Sequence, residues 1–184
     1  MTDLNHQDLI QTTRTWLETA VIGLNLCPFA KATYNKDLIR FSVSQARHLD
    51  VFLERLDEEL LLLKQTPANE LETTLLIEPN LFNDFDLFNQ ILDVADQALV
   101  DHGLEGVIQI APFHPQFQFD GTEPDDISNY TNRSPYPILH LIREDSIAKA
   151  MQAFPNADTI FERNIALLEK MGHEGWDALW QKKD

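Results

Sequence analysis

The chain is 184 residues long, 43% hydrophobic and 24% charged, the balance of an ordinary soluble globular protein and a length suited to one domain, 1–184. Its 14 Lys and Arg stand against 30 Asp and Glu, a net charge of −16, which argues against nucleic acid and anionic membrane surfaces as partners, since both demand clustered cations. A single cysteine, Cys27, excludes an intrachain disulfide and a four-cysteine zinc site.

The apolar periodicity predicts the elements in order. Leu9, Thr13, Trp16, Leu17, Ala20 and Leu24 recur at helical spacing, so a helix is expected from about Asp3 to Ile22, with Gly23 as its stop. The opening MTDLNHQDLI has neither a basic nor an apolar signal-peptide region, and a reduced cytoplasm is the expected setting. Leu38 to Val43 reads as a strand. Ser44 is the expected N-cap of a helix that places Leu49, Phe52, Leu53, Leu56, Leu60 and Leu63 on one face and ends before Pro67. The longest pure apolar run, Leu60 to Leu63, is far too short to span a bilayer.

A second strand is expected over Glu72 to Glu78. The next helix, capped by Asn83 or Asp84, is expected to bury Phe85, Phe88, Leu92, Ala95 and Leu99 and to end at Gly103. Val107 to Ala111 and Ile138 to Arg143 are the third and fourth strands. A short helix from Asp145 through Phe154 follows, then one capped by Asn156. That last helix turns Ile160, Phe161, Ile165, Leu168 and Met171 inward and ends at Gly172, and a final turn carries Trp176 and Trp180.

Strands alternating with helices predict an α/β fold, with α+β as the alternative. The expected form is a single four-stranded, partly parallel sheet covered by helices, whose fourth strand can run antiparallel.

Between strands three and four lies PFHPQFQFDGTEPDDISNYTNRSPYP, residues 112–137. Its five prolines and its aromatic residues stiffen it and can pin it to the body, and it leaves the C-terminal end of the third strand, where ligands bind in parallel sheets. From Lys64 to Arg133 no intervening residue is Lys or Arg, while 13 acids occur; for most of these a solvated face is the expected role. Arg133 therefore reads either as an anion ligand, helped by Asn129, Asn132 and Ser134, or as a staple neutralised by Asp125 or Asp126.

Cys27, between a helix stop and Pro28, is placed where a helix start would lower its pKa and make it a nucleophile or redox group; a buried small hydrophobe is the competing role. His114 is a candidate general base at a strand exit. His140 shares a strand face with Ile138 and Ile142 and reads as a core histidine or a pocket ligand. Two histidines and an aspartate could hold a metal, but no HxH, HxxxH or HExxH spacing occurs, and no metal or cofactor is predicted.

The blocks GLNLCPFA, FHPQFQF, NYTNRSPYPILHLIRE and ERNIALLEKMG, in this order and spacing, together resemble an uncharacterised bacterial family, domain of unknown function 1415, over about residues 11–181. The resemblance implies that Cys27, Pro28, Phe113, His114, Pro115, Asn129, Asn132, Arg133, Ser134, Pro135, His140, Arg143, Glu144, Arg163 and Asn164 belong to the family pattern. It implies no reaction. Two functions follow from the residues. One is a small enzyme acting on a small anionic metabolite, with catalytic Cys27 and His114 and a pocket closed by the 112–137 loop. The other is a non-enzymatic binding or regulatory module that recruits a protein through the acidic face and the Pro- and aromatic-rich loop.

Overall fold

The computed structural model describes residues 5–153 and 159–181. Helix α1 (His6–Trp16) starts where the Asn5 side chain accepts a hydrogen bond from the Gln7 N–H at 3.2 Å. It runs on into a wider π-helical segment, Leu17–Ile22. Gly23 closes that segment differently from the expected left-handed stop. Its backbone stays right-handed, and a Cβ there would lie 2.2 Å from the Thr19 carbonyl oxygen, so only glycine fits. The left-handed turn falls on Asn25 instead, at φ 55°. A short helix α2 (Ala30–Asn35) follows, then strand β1 (Ile39–Val43).

Helix α3 (Leu49–Gln65) begins later than Ser44. Ser44 does not cap it. The Ser44 N–H prolongs the β pairing to the Ile77 carbonyl at 2.8 Å, while its Oγ accepts from the Ala46 N–H. Strand β2 (Thr73–Ile77) is buried along its whole length. Helix α4 (Phe85–Asp101) is capped by Asp84, which accepts from the Leu87 N–H at 2.9 Å. It buries Phe88, Ala95 and Leu99 fully but Phe85 and Leu92 only partly. Gly103 takes φ 62° behind it.

Strand β3 (Ile108–Phe113) runs two residues further than its apolar run suggested and includes Pro112. A proline is tolerated because β3 pairs on one side only. A 3₁₀ turn (Ile127–Asn132) interrupts the long loop. Strand β4 (Ile138–Arg143) leads directly into α5 (Glu144–Ala153), and α6 spans Ile160–Ala178. Gly172, at φ 64° and ψ −179°, leaves the helical conformation, so the expected stop falls there and a second short helix carrying Trp176 continues beyond the kink. Phe161, expected inward, is 52% exposed. The Asn156 cap and the end of α5 at Phe154 lie outside the described residues.

The sheet order is β1-β2-β4-β3. β1 and β2 are parallel, and β4 is antiparallel to both β2 and β3. The three strands joined by helical crossovers therefore share one direction, and the strand after the long loop inserts between two of them in reverse. The fold is α/β with a four-stranded mixed sheet.

Pairing of Leu75 with His140 and of Ala111 with His140 sets which side chains share a face. One face carries Leu76, Leu139, Leu141 and Ile108 into a core with Phe52, Leu56 and Leu60 of α3 and Phe88, Ile91 and Ala95 of α4. The other carries Leu75, Ile77, Ile138, Val43 and Phe113 against Trp16, Leu17 and Ala20 and against Leu168 and Trp176 of α6. Arg143, at the end of β4, donates to the carbonyls of Leu63, Thr66 and Leu71, closing the C-terminal end of α3 with a cation where the dipole favours one. Glu59, 1% exposed, bonds Arg40, Arg55 and Ser42, tying α3 to β1.

Candidate functional site

On the second face three segments enclose a space above the sheet. The chain from Cys27 through α2 forms one wall, α1 and the π segment the second, α5 the third, and the sheet the floor. The resulting cavity holds about 480 Å³, within the ~300–1,000 Å³ of small-molecule sites. Its lining is mostly aliphatic and aromatic. The polar exceptions are Cys27, Thr33, Glu72, Thr73, His140 and Ser146, and no Lys or Arg lines it among the described residues.

His140 stands on the floor. Its Nε2 is 2.8 Å from Thr73 Oγ1, and that hydroxyl donates to the Leu141 carbonyl at 2.6 Å. A hydroxyl has one proton to give, so Nε2 carries the ring proton and Nδ1 is the acceptor. Burial pushes the imidazole down to about 4, so it is neutral at pH 7.

Cys27 is held from behind. Asn164 Nδ2 donates to the Leu26 carbonyl at 2.8 Å and Arg163 Nη2 to the Asn25 carbonyl at 2.6 Å. The ERN block of α6 thus grips the two residues before the cysteine, while the Asn164 Oδ1 is buried without a hydrogen-bond partner. The thiol does sit at the start of a helical turn, with the N–H groups of Phe29 and Ala30 turned to it. Burial nonetheless outweighs them and pushes its pKa up. The expected low-pKa thiol is therefore corrected: an apolar wall penalises the thiolate more than two backbone dipoles from a six-residue helix favour it.

His114 does not reach this cavity. One residue beyond Phe113, it points to the opposite face, fully buried, and stacks on Phe88 at 5.1 Å. Its Nε2 donates to the Phe82 carbonyl at 2.8 Å and its Nδ1 accepts from the Gln116 N–H at 3.0 Å. Both nitrogens are thus occupied, and burial lowers its pKa. The sheet separates His114 from Cys27 and from His140, so the three do not share an ion or a substrate. No group of three or more His, Cys, Asp or Glu suited to a metal occurs among the described residues.

The loop amides are also occupied internally. Asn129, fully buried, accepts from the Phe119 N–H and the Thr122 hydroxyl and donates to the Glu123 carbonyl. Asn132 donates to the Pro112 carbonyl, and Ser134 Oγ to the Tyr136 carbonyl. Arg133 Nε and Nη2 donate to the carbonyls of Phe117 and Pro124, and its guanidinium lies 4.3 Å from the Tyr130 ring centre. Neither Asp125 nor Asp126 forms an ion pair with it. Of the loop candidates, Arg133 and Ser134 border a second, smaller cavity; Asn129 and Asn132 border neither. The sequence reading missed Thr73, which fixes the His140 tautomer. Its only signal is its position on a strand whose register with His140 cannot be read without the pairing.

The match over residues 8–178 decides the family. The chain belongs to the family described as protein of unknown function (DUF1415). No curated protein and no solved structure matches it. Among the described residues of this DUF1415 member, no helix is long and apolar enough to cross a membrane.

Proposed function

We propose that this DUF1415 protein binds a small, mostly apolar molecule bearing one uncharged hydrogen-bonding group, in the cavity between the sheet and the α1, α2 and α5 walls. The observation that carries the reading is the lining: about 480 Å³ of mostly apolar space with one neutral imidazole, one protonated thiol, the hydroxyls of Thr33, Thr73 and Ser146, and Glu72 as its one acid among the described residues. A hydroxyl can donate to His140 Nδ1. A bare carboxylate would be desolvated there without a cation among the described residues, at a cost of several kcal/mol.

The enzyme reading, with a small anionic metabolite held between Cys27 and the 112–137 loop, has less support. That loop supplies only Phe113 beyond strand residue Ala111, and His114 lies across the sheet. A protein-recruiting loop has less support too, because Phe117 packs on Phe85 and Phe119 instead of forming an outward patch.

The test is a series of straight-chain primary alcohols, from butanol upward, followed by thermal shift and calorimetry. Each methylene buried is worth about 0.8 kcal/mol, about fourfold in affinity, until the cavity is full. Ala150→Trp, which fills the α5 wall, should abolish binding with the fold retained. An affinity that does not change with chain length would sink the proposal.

A further inference from the structure

The chain has three tryptophans, and all three meet at one place. Trp16 of α1, Trp176 near the end of α6 and Trp180 just beyond it line the second cavity, together with Tyr130, Arg133 and Pro135. The cavity holds about 360 Å³, enough for a small ligand. Tyr130 meets Trp176 edge-on at 5.0 Å, and Trp176 meets Trp180 edge-on at 5.8 Å. Rings in edge contact are not closed into a flat stack. Trp180, in contact with Trp176 on one side, keeps 41% of its surface open at the cavity's edge.

The walls are rigid. Trp16 Nε1 donates to the Arg133 carbonyl at 2.9 Å, fixing α1 to the loop, and the Arg133 side chain is held by two backbone carbonyls and by the Tyr130 face. Carbonyls orient a guanidinium but do not neutralise it. In a chain with 30 acids, Arg133 forms no ion pair among the described residues. An oriented, unneutralised cation among aromatic walls selects two features at once: a flat apolar ring and a negative charge.

We propose that this cavity is a second binding site, for a planar aromatic carboxylate. The ring lies among the indoles, the carboxylate meets Arg133, and the exposed hydroxyls of Thr12 and Thr15 stand at the rim. The site shares only the Trp16 wall with the larger cavity and does not depend on what that one binds.

Because every tryptophan lines the site, intrinsic fluorescence reports on it directly. Phenylacetate, transparent where indole is excited, is the probe; phenylacetamide lacks the charge and acetate lacks the ring. A saturable change in emission with phenylacetate is expected, with affinity at least about tenfold above both controls and falling with salt. Arg133→Lys, which loses the planar fork, should weaken phenylacetate about tenfold and leave phenylacetamide unchanged. Should that variant unfold because the loop loses its staple, Trp180→Ala tests the same site from the exposed wall and should also weaken phenylacetate. Equal binding of phenylacetate and phenylacetamide, or no saturable change in emission, overturns the proposal.

Discussion

His140 Nε2 lies 2.8 Å from Thr73 Oγ1, across the β2–β4 pairing, and the same hydroxyl donates a hydrogen bond to the Leu141 carbonyl. This two-bond relay fixes the ring's tautomer and leaves its second nitrogen as an acceptor. Burial, separately, keeps the imidazole neutral.

That neutrality has a pH signature. The folded value of about 4 lies below the ordinary 6.5, so the unfolded chain binds the proton first. The contribution of neutral His140 to stability is complete above about pH 6.5 and is lost as pH falls toward 4, by about 3 kcal/mol in total. His114 is shifted the same way, so the comparison must isolate one ring. Between pH 7 and 4 the denaturant midpoint of wild type should fall relative to that of His140→Leu as pH falls. A gap between them that is independent of pH would mean that His140 is not a buried neutral imidazole.

Cys27 is expected to alkylate slowly. Its thiol is pushed above the ordinary value by burial, so the iodoacetamide rate should rise with a midpoint above the ~8.5 of a free thiol. An alcohol filling the adjoining cavity should protect it. A midpoint near neutrality would restore an activated nucleophile.

Asn129→Ala should loosen the loop. The substitution deletes three hydrogen bonds in a buried turn and leaves the Phe119 N–H and the Glu123 carbonyl without that partner, a loss of roughly 2–4 kcal/mol. Limited proteolysis within residues 118–127 should accelerate strongly. If the variant were as stable and as resistant as wild type, Asn129 would not be a staple, and a ligand-binding role would regain ground.

Much of the fold follows from local pattern, because helices and strands declare their buried face by period. Phe52, Leu56 and Leu60 at helical spacing, and Ile138 through Arg143 as a strand, needed no tertiary information. The acidic N-cap at Asp84 and the turn at Gly103 are local chemistry too. Ser44 misled, whereas the stop at Gly172 held. A capping serine is a preference, and strand pairing at Ile77 overrode it, while the left-handed backbone at Gly172 breaks the helix as a stopping glycine does.

The sites were decided by tertiary structure. Cys27 and His114 look like partners in sequence because each is polar at an element end, but a one-residue step in β3 sends His114 to the opposite face from Ala111 and Phe113. Strand parity is relative, and only the register of β3 on β4 says which parity meets Cys27. The charge count isolated Arg133 as a rare cation, but not its neighbours. Trp16 and Trp176 are 160 positions apart in the chain and reach it only because α1 and α6 both pack on the face of the sheet opposite α3 and α4. Composition determined that the chain would fold. Which polar groups remain available for a ligand depends on hydrogen bonds between distant segments, and those exist only once the sheet has closed.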